Sequence, residues 1–190
     1  MSGDGDNFNF WQGGLVRLRG VEPSDAETFA RWNLDSEAAR EVEFVWPPVS
    51  LAQIRKELEE ESLRKLEADA FKWVIEDAGR NAVGSITTHH CDHRGGVFSY
   101  GLIVAREHRR RGHATEAVLL VLKYYFEELR YQKCLVGVHS NNPASVALHE
   151  KLGFVREGTL RRMVYTGGRF HDLHHYGMLK EEWERSAHRI

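Results

Sequence analysis

Arg109-Arg110-Arg111-Gly112-His113-Ala114 is the stretch on which the reading of this chain turns. Upstream, residues 97–104 (Val-Phe-Ser-Tyr-Gly-Leu-Ile-Val) read as a strand. Downstream, the stripe Ala117, Val118, Val121, Leu122, Tyr125, Phe126 and Leu129 predicts a helix reaching residue 130 or so. A strand that turns through a basic, glycine-containing segment straight into a helix N-terminus is an anion site. The first helical N–H groups lack intrahelical partners, and the helix dipole adds partial positive charge there. Gly112 permits close backbone approach, and Ala114 has almost no side chain to obstruct a ligand. The ligand chemistry that fits is a pyrophosphate.

The 190 residues suffice for one domain with a real core, expected over residues 15–190 behind a flexible tail at 1–14. That tail is rich in Gly, Asp and Asn, although Phe8, Phe10 and Trp11 give it groups with which to dock. The formal net charge of −2 argues against a nucleic-acid binder, which needs a basic excess to displace counterions. No apolar run approaches the roughly 18 residues of a membrane helix, and no signal peptide is legible. Cys91 and Cys134 lie far apart and are expected to stay reduced. A cytoplasmic location is the expectation that follows.

Patterning orders the rest. Residues 15–19 alternate as a half-buried strand does, and Ser24 with Glu27 reads as the cap of a helix over 24–33. Residues 41–49, with Pro47-Pro48, read as a loop. Ser50 and Gln53 repeat the capping pattern before the stripe Leu51, Ile54, Leu58 and Leu66. Strands are predicted at 71–77, 82–90 and 97–104, then a short one at 134–139 and a helix at 144–152 stopped by Gly153. Two further strands, 154–160 and 171–179, flank a Gly167-Gly168 turn. The order β-α-α-β-β-β-α-β-α-β-β predicts an α/β fold, a mixed sheet with helices on both faces.

Two motifs then stand in register. Arg109 to Ala114 is similar to the Gln/Arg-x-x-Gly-x-Gly/Ala loop of the GNAT superfamily of N-acetyltransferases. Residues 142–154, Asn-Pro-Ala-Ser-Val-Ala-Leu-His-Glu-Lys-Leu-Gly-Phe, resemble its Asn-x-x-Ser/Ala-x-x-x-Tyr-x-Lys-x-Gly-Phe motif. One long helix and one strand separate them, as in the family. The resemblance runs from Leu15 to Trp183 and is nearest to RimJ/RimL-type ribosomal-protein alanine acetyltransferases and spermidine acetyltransferases. It implies a GNAT fold with a splay between two parallel strands, and transfer of acetyl from acetyl-CoA to a primary amine by direct attack. It also implies a job for each matched position. Ile103 and Val104 would hold the pantetheine arm through backbone hydrogen bonds. Arg109, Arg110, Arg111, Gly112, His113, Ala114 and Thr115 would wrap the pyrophosphate. Asn142 would bind the pantetheine, and Lys151 would lie near the nucleotide end. The rival reading is an acyl-CoA-binding sensor or structural relative that has lost chemistry.

Two departures from the pattern bear on the proton transfers. The family tyrosine that protonates the departing thiolate is replaced by His149, which either does that work, given its reference pKa of about 6.5, or only fills space. Ser145, one turn earlier, is the other candidate. The glutamate that relatives carry before the pyrophosphate loop is matched by Ser99, which leaves Glu43, His89, His90 or water to accept the amine's proton. Water suffices for some substrates. An α-amine with pKa near 7.7–8.0 is about one-tenth neutral at pH 7, whereas a lysine-like amine is neutral roughly once in 2,500 molecules.

That contrast favours an N-terminal or other low-pKa amine, with a polyamine or aminoglycoside-like amine as alternatives. Glu37, Glu41 and Glu43 make the expected entrance acidic, while Trp46 beside Phe44 offers an apolar platform; Glu43 and Trp46 are the candidate substrate contacts. The groups His89, His90, Asp92, His93 and His171, Asp172, His174, His175 contain good zinc ligands. Adjacent strand residues face opposite ways, however, so His89 and His90 are not expected to share an ion, and no metal is expected. Neither a nucleic-acid nor a membrane partner is expected. A homodimer is what the resemblance implies for assembly.

Overall fold

The computed structural model describes residues 9–42, 44–65 and 69–187. Seven strands form one sheet: β1 (Val16–Gly20), β2 (Lys72–Asp77), β3 (Ala82–Asp92), β4 (Val97–Val104), β5 (Lys133–His139), β6 (Val155–Thr166) and β7 (Arg169–Leu179). Their order is β1-β2-β3-β4-β5-β7-β6. All neighbours are antiparallel except β4 and β5, whose parallel pairing requires a crossover. The crossover carries helix α4 (His113–Lys123). The remaining helices are α1 (Ala26–Asn33), α2 (Ser36–Val42), α3 (Leu51–Ser62), α5 (Pro143–Leu152) and α6 (Lys180–Arg185).

Strand alternation sorts the apolar side chains into two cores. Trp73 and Ile75 of β2 face α4 and join Phe98, Val118, Leu122, Tyr125 and Phe126. Val74, between them, faces the other way and meets Ala26 and Phe29 of α1 and Ile54 and Leu58 of α3. Burying a large apolar side chain contributes about 1.5–3 kcal/mol, so these stripes hold helices to both faces. The α/β expectation is met.

Several local expectations are corrected. The Ser24/Glu27 cap is not the one used: Asp25 Oδ2 accepts from the Glu22 N–H at 2.9 Å, and a 3-10 turn (Pro23–Asp25) precedes α1. Asp25 is drawn there by Arg19, which also binds Glu76; all three lie at the β1–β2 edge. Burial alone would raise the two carboxyls, but the guanidinium hydrogen bonds hold both below their ordinary values. Helix α2 occupies part of the segment read as an open entrance. The long crossover helix widens into a π turn at Tyr124–Glu128, which lets consecutive aromatics pack on different partners: Tyr124 on Trp11, Tyr125 on Phe98, Phe126 on Trp183. Strand β6 runs six residues beyond its predicted end at 160, into an exposed hairpin arm that apolar patterning cannot mark.

The N-terminal segment is docked from residue 9 onward, in contrast to the mobile tail expected up to 14; residues 1–8 lie outside the described part. Trp11 packs on Trp73 and Tyr124, and its carbonyl accepts from the Leu18 N–H. The carboxylate of Glu116, in the first turn of α4, accepts from the N–H groups of Gly14, Leu15 and Val16 at 3.0, 2.7 and 2.6 Å. Hydrogen bonds to a charged group contribute about 1.5–3 kcal/mol. Glu116→Ala is therefore expected to lower unfolding free energy by about 2 kcal/mol and to speed proteolysis before Val16. Urea titration and limited chymotrypsin digestion, which has sites at Phe10, Trp11 and Leu15, read both; an unchanged digest would show that Glu116 does not anchor the segment.

Candidate active site

Strands β4 and β5 pair only at Val97–Lys133 and Phe98–Cys134, then part. Beyond that point β4 is held by β3 alone and β5 by β7 alone. Between them opens a cleft of about 1100 Å³, walled by residues 99–104 of β4, 135–139 of β5, the loop 106–112, the start of α4 and the inner side of α5.

The phase of the open edge follows from one bond. Ala105 N–H donates to the Val83 carbonyl at 2.9 Å, and Val104 stands opposite Gly84. Hydrogen-bonded pairs alternate along an antiparallel ladder, so the peptide groups of Ile103 face β3, whereas those of Leu102 and Val104 face the cleft. The Val104 carbonyl indeed accepts from Arg109 Nε at 3.1 Å. Of the two positions expected to offer backbone to a pantetheine arm, Val104 therefore turns its peptide groups to the cleft and Ile103 turns its own to β3, while Leu102 also faces the cleft.

The basic loop divides into two kinds of arginine. Arg109 donates to Glu41 Oε2 at 2.8 Å as well as to Val104, and Arg106 forms two bonds to Asp35 at 2.8 and 2.9 Å. The Arg106 guanidinium holds the Asp35 carboxyl well below its ordinary range. Arg110 and Arg111 are exposed and, among the described residues, unpaired, with Arg110 in the left-handed region at φ 61°. Gly112 has φ 87°, and a Cβ there would lie 2.9 Å from Leu15 Cδ1, so this position requires glycine. Gly112 is also the N-cap of α4 and offers the first turn (His113, Ala114, Thr115) no side-chain acceptor. Beside it, His108 Nδ1 and His113 Nδ1 are buried without hydrogen-bond partners. These orphaned nitrogens, with the cap and the two exposed arginines, fit a phosphate-bearing ligand.

Asn142 caps α5: its Oδ1 accepts from Ser145 N–H at 2.9 Å, and its Nδ2 donates to the Glu41 carbonyl at 3.2 Å. Asn141 Nδ2 likewise donates to the Arg40 carbonyl at 3.1 Å. Helix α2 is thereby tied to both walls, through Asp35 and Glu41 to the β4 side and through residues 40 and 41 to α5. Lys151 is exposed on α5 and does not line the cleft. Trp46 is exposed, edge-on to Phe44 at 6.1 Å, outside the lining. Glu43 lies outside the described residues.

Ser145 lines the cleft half-buried, and His149 is buried one turn on. The Ser145 carbonyl can only accept, so His149 Nδ1 carries the proton and donates to it at 2.7 Å. Nε2 then accepts from Tyr100 Oη at 2.9 Å, within a stack of Tyr100, His149 and Tyr176. Burial pushes the His149 imidazole below its ordinary value, opposed by the bond to Ser145. Its one N–H is committed to the helix, so His149 is placed as a neutral acceptor rather than a proton donor facing the cleft. Tyr100, which the sequence reading overlooked, was legible only as the residue in phase with Phe98. His89 and Ser99 share the opposite face of the sheet, as do His139 and His175 across the gap. No group of three or more potential metal ligands is brought together among the described residues. No helix there is long and apolar enough to cross a membrane.

Residues 16–155 match the protein family described as Acetyltransferase (GNAT) domain. The chain belongs to the GNAT acetyltransferase family. It is 39% identical over 175 residues to the "SPbeta prophage-derived uncharacterized N-acetyltransferase YokL" of Bacillus subtilis (strain 168), covering 92% of this chain and 96% of that one. It is 35% identical over 101 residues to the "Putative ribosomal N-acetyltransferase YdaF" of the same organism, covering 53% and 55%. Among solved structures, spermidine N-acetyltransferase from Vibrio cholerae in complex with CoA and spermine superposes with a TM-score of 0.78. That match is 23% identical and covers 90% of this chain and 98% of that one. The splayed mixed sheet is thus the GNAT fold, and the chain is an acetyltransferase of the N-acetyltransferase type.

His149→Phe is expected to leave the Tyr100 hydroxyl buried and unpaired, at a cost of about 1–3 kcal/mol. Because burial lowers the His149 pKa, the unfolded chain binds more protons than the folded one below about pH 6.5. That contribution is complete above the unfolded value and is lost as pH falls towards the folded one. Thermal unfolding from about pH 8 to pH 5 should therefore show a shallower acid decline for His149→Phe than for the wild type. Parallel declines would contradict a buried neutral imidazole.

Proposed function

We propose that this GNAT enzyme transfers acetyl from acetyl-CoA to the α-amine of a protein or peptide N-terminus. The observation that carries the choice of amine is the charge of the cleft. Among the described residues that line it, Glu41 is the one carboxylate, and Arg109 neutralises it, while Arg106 and Arg110 stand nearby. A polyamine, with several ammonium groups, would find no unpaired carboxylate there. A single amine that is already partly neutral needs none. The ribosomal designation of the YdaF relative supports the same reading. The exposed Phe44–Trp46 pair offers residues beyond the amine a surface to pack on.

The residues divide the work as follows. Peptide groups of Leu102 and Val104 take the pantetheine arm as an added strand segment would, and one of their N–H groups polarises the thioester carbonyl. N–H groups of residues 110–115 hold the pyrophosphate, with Arg110 and Arg111 as adjacent charge. Lys151 reaches the nucleotide end only from outside the cleft. Asn142 fixes the start of α5, and the Ser145 hydroxyl donates a hydrogen bond to the departing sulfur. His149 and Tyr100 hold that wall rigid. The amine lone pair forms the C–N bond as the C–S bond breaks; one nitrogen proton ends on sulfur.

CoA release from acetyl-CoA at about pH 7.5 tests this, comparing Ala- and Ser-starting peptides with polyamines and aminoglycosides; the α-amine is partly neutral at that pH. Turnover with the peptides, abolished by N-terminal blocking, is expected. Turnover confined to polyamines would overturn the α-amine assignment.

A further inference from the structure

Ser99 on β4 carries no group that can serve as a base, but its cross-strand partner is His89. Residues paired across a ladder share a face, so the His89 imidazole stands on the face of the sheet that carries Ser99. Its Nε2 lies 3.9 Å from where a side chain on Gly101 would begin. Glycine at 101 leaves that space open, and His89 lines the cleft just past the parting of β4 from β5.

The ring is also oriented. Strand β3 breaks its register between His89 and Asp92, with His90 in the left-handed region at φ 49°. This bulge overturns the expectation that the two histidines point apart. Their Nδ1 atoms lie 2.8 Å from one another, with ring centroids 4.7 Å apart and planes at 88°. A bond between two imidazole nitrogens needs one proton. When His89 donates it, His89 Nε2 presents a lone pair to the cleft, and His90 Nδ1 steadies the ring as an acceptor.

We propose that His89 is the general base of the reaction and that His90 is its positioning residue. This rests on the acetyl-transfer reading above. The incoming ammonium gives one proton to His89 Nε2, forming an imidazolium whose Nδ1–H still donates to His90. The freed lone pair attacks the thioester carbonyl, the second nitrogen proton ends on sulfur, and His89 returns its proton to solvent. Partial burial and the neighbouring His90 hold His89 below its ordinary value, which keeps it in the basic form at neutral pH. His90 on its own strand and Ser99 on β4 stand against it, and His139 and His175 line the same cleft from the β5 side; Glu41 is engaged by Arg109.

The test measures kcat, KM and CoA affinity between about pH 6 and pH 9 for the wild type, His89→Ala, His90→Gln and His175→Gln, since a general base imposes an acidic limb. His89→Ala is expected to lower kcat for an α-amine peptide about 100-fold at pH 7. It should keep its CoA affinity and melting temperature, lose the acidic limb, and recover activity when imidazole is added. His90→Gln should keep the limb at a shifted position with a smaller loss. A kcat for His89→Ala within twofold of wild type overturns the proposal. So does a loss matched by lost CoA affinity without imidazole rescue, or transfer of the limb's dependence to His175. Wild-type protein that binds CoA but acetylates no amine would instead overturn the acetyl-transfer reading itself.

Discussion

The parting of β4 from β5 after the Phe98–Cys134 pair is the constraint on which the rest depends. Each strand is fixed on its far side by an antiparallel neighbour, so neither can swing to close the gap. Peptide groups left on such an edge must be satisfied by water, side chain or ligand. Arg109 satisfies one, the Val104 carbonyl. The others remain on the cleft wall as donors and acceptors in strand register, the arrangement that the proposed acetyl-CoA site uses. The start of α4, with no side-chain cap for its first N–H groups, lies at the mouth of the same gap because the crossover must begin where β4 ends. The open amide edge and the uncapped helix start beside it are therefore one consequence of one break in the sheet.

Electrostatics divides the basic loop between architecture and binding. Arg106 and Arg109 are matched by Asp35 and Glu41 and tie α2 across the top of the cleft. Asn141 and Asn142 complete the tie from α5, so the helix braces the splayed walls against each other. Only Arg110 and Arg111 retain charge for a ligand among the described arginines of the loop. The same economy explains Glu37 and Glu41, which the sequence suggests as a greeting for a cationic substrate. In the folded chain Glu41 serves Arg109, and Glu37 lies 3.6 Å from Arg40.

Much of this was legible because it is local. A strand, a basic glycine turn and an amphipathic helix announce themselves in consecutive residues, and so do an Asn cap and Gly153 at φ 90° around α5. What was not legible depends on pairing. Nothing in residues 102–104 tells which peptide groups face β3; the Ala105–Val83 bond sets that phase. The burial of His149 against Tyr100 joins residues 49 positions apart, so nothing near His149 in the sequence tells that its ring meets a tyrosine hydroxyl. The His89–His90 contact needs the break in register between His89 and Asp92, which the patterning of consecutive residues does not mark. Helix α2 was hidden because its stability comes from salt bridges and carbonyl contacts to distant loops, not from an apolar stripe: none of its residues is fully buried.

The most direct test of the account is a crystal structure of the protein with a non-hydrolysable acetyl-CoA analogue. The account predicts pantetheine amides hydrogen-bonded to the peptide groups of Leu102 and Val104 and the pyrophosphate on the N–H groups of residues 110–115. A pantetheine arm running along β5 instead, or a pyrophosphate held away from the start of α4, would contradict it.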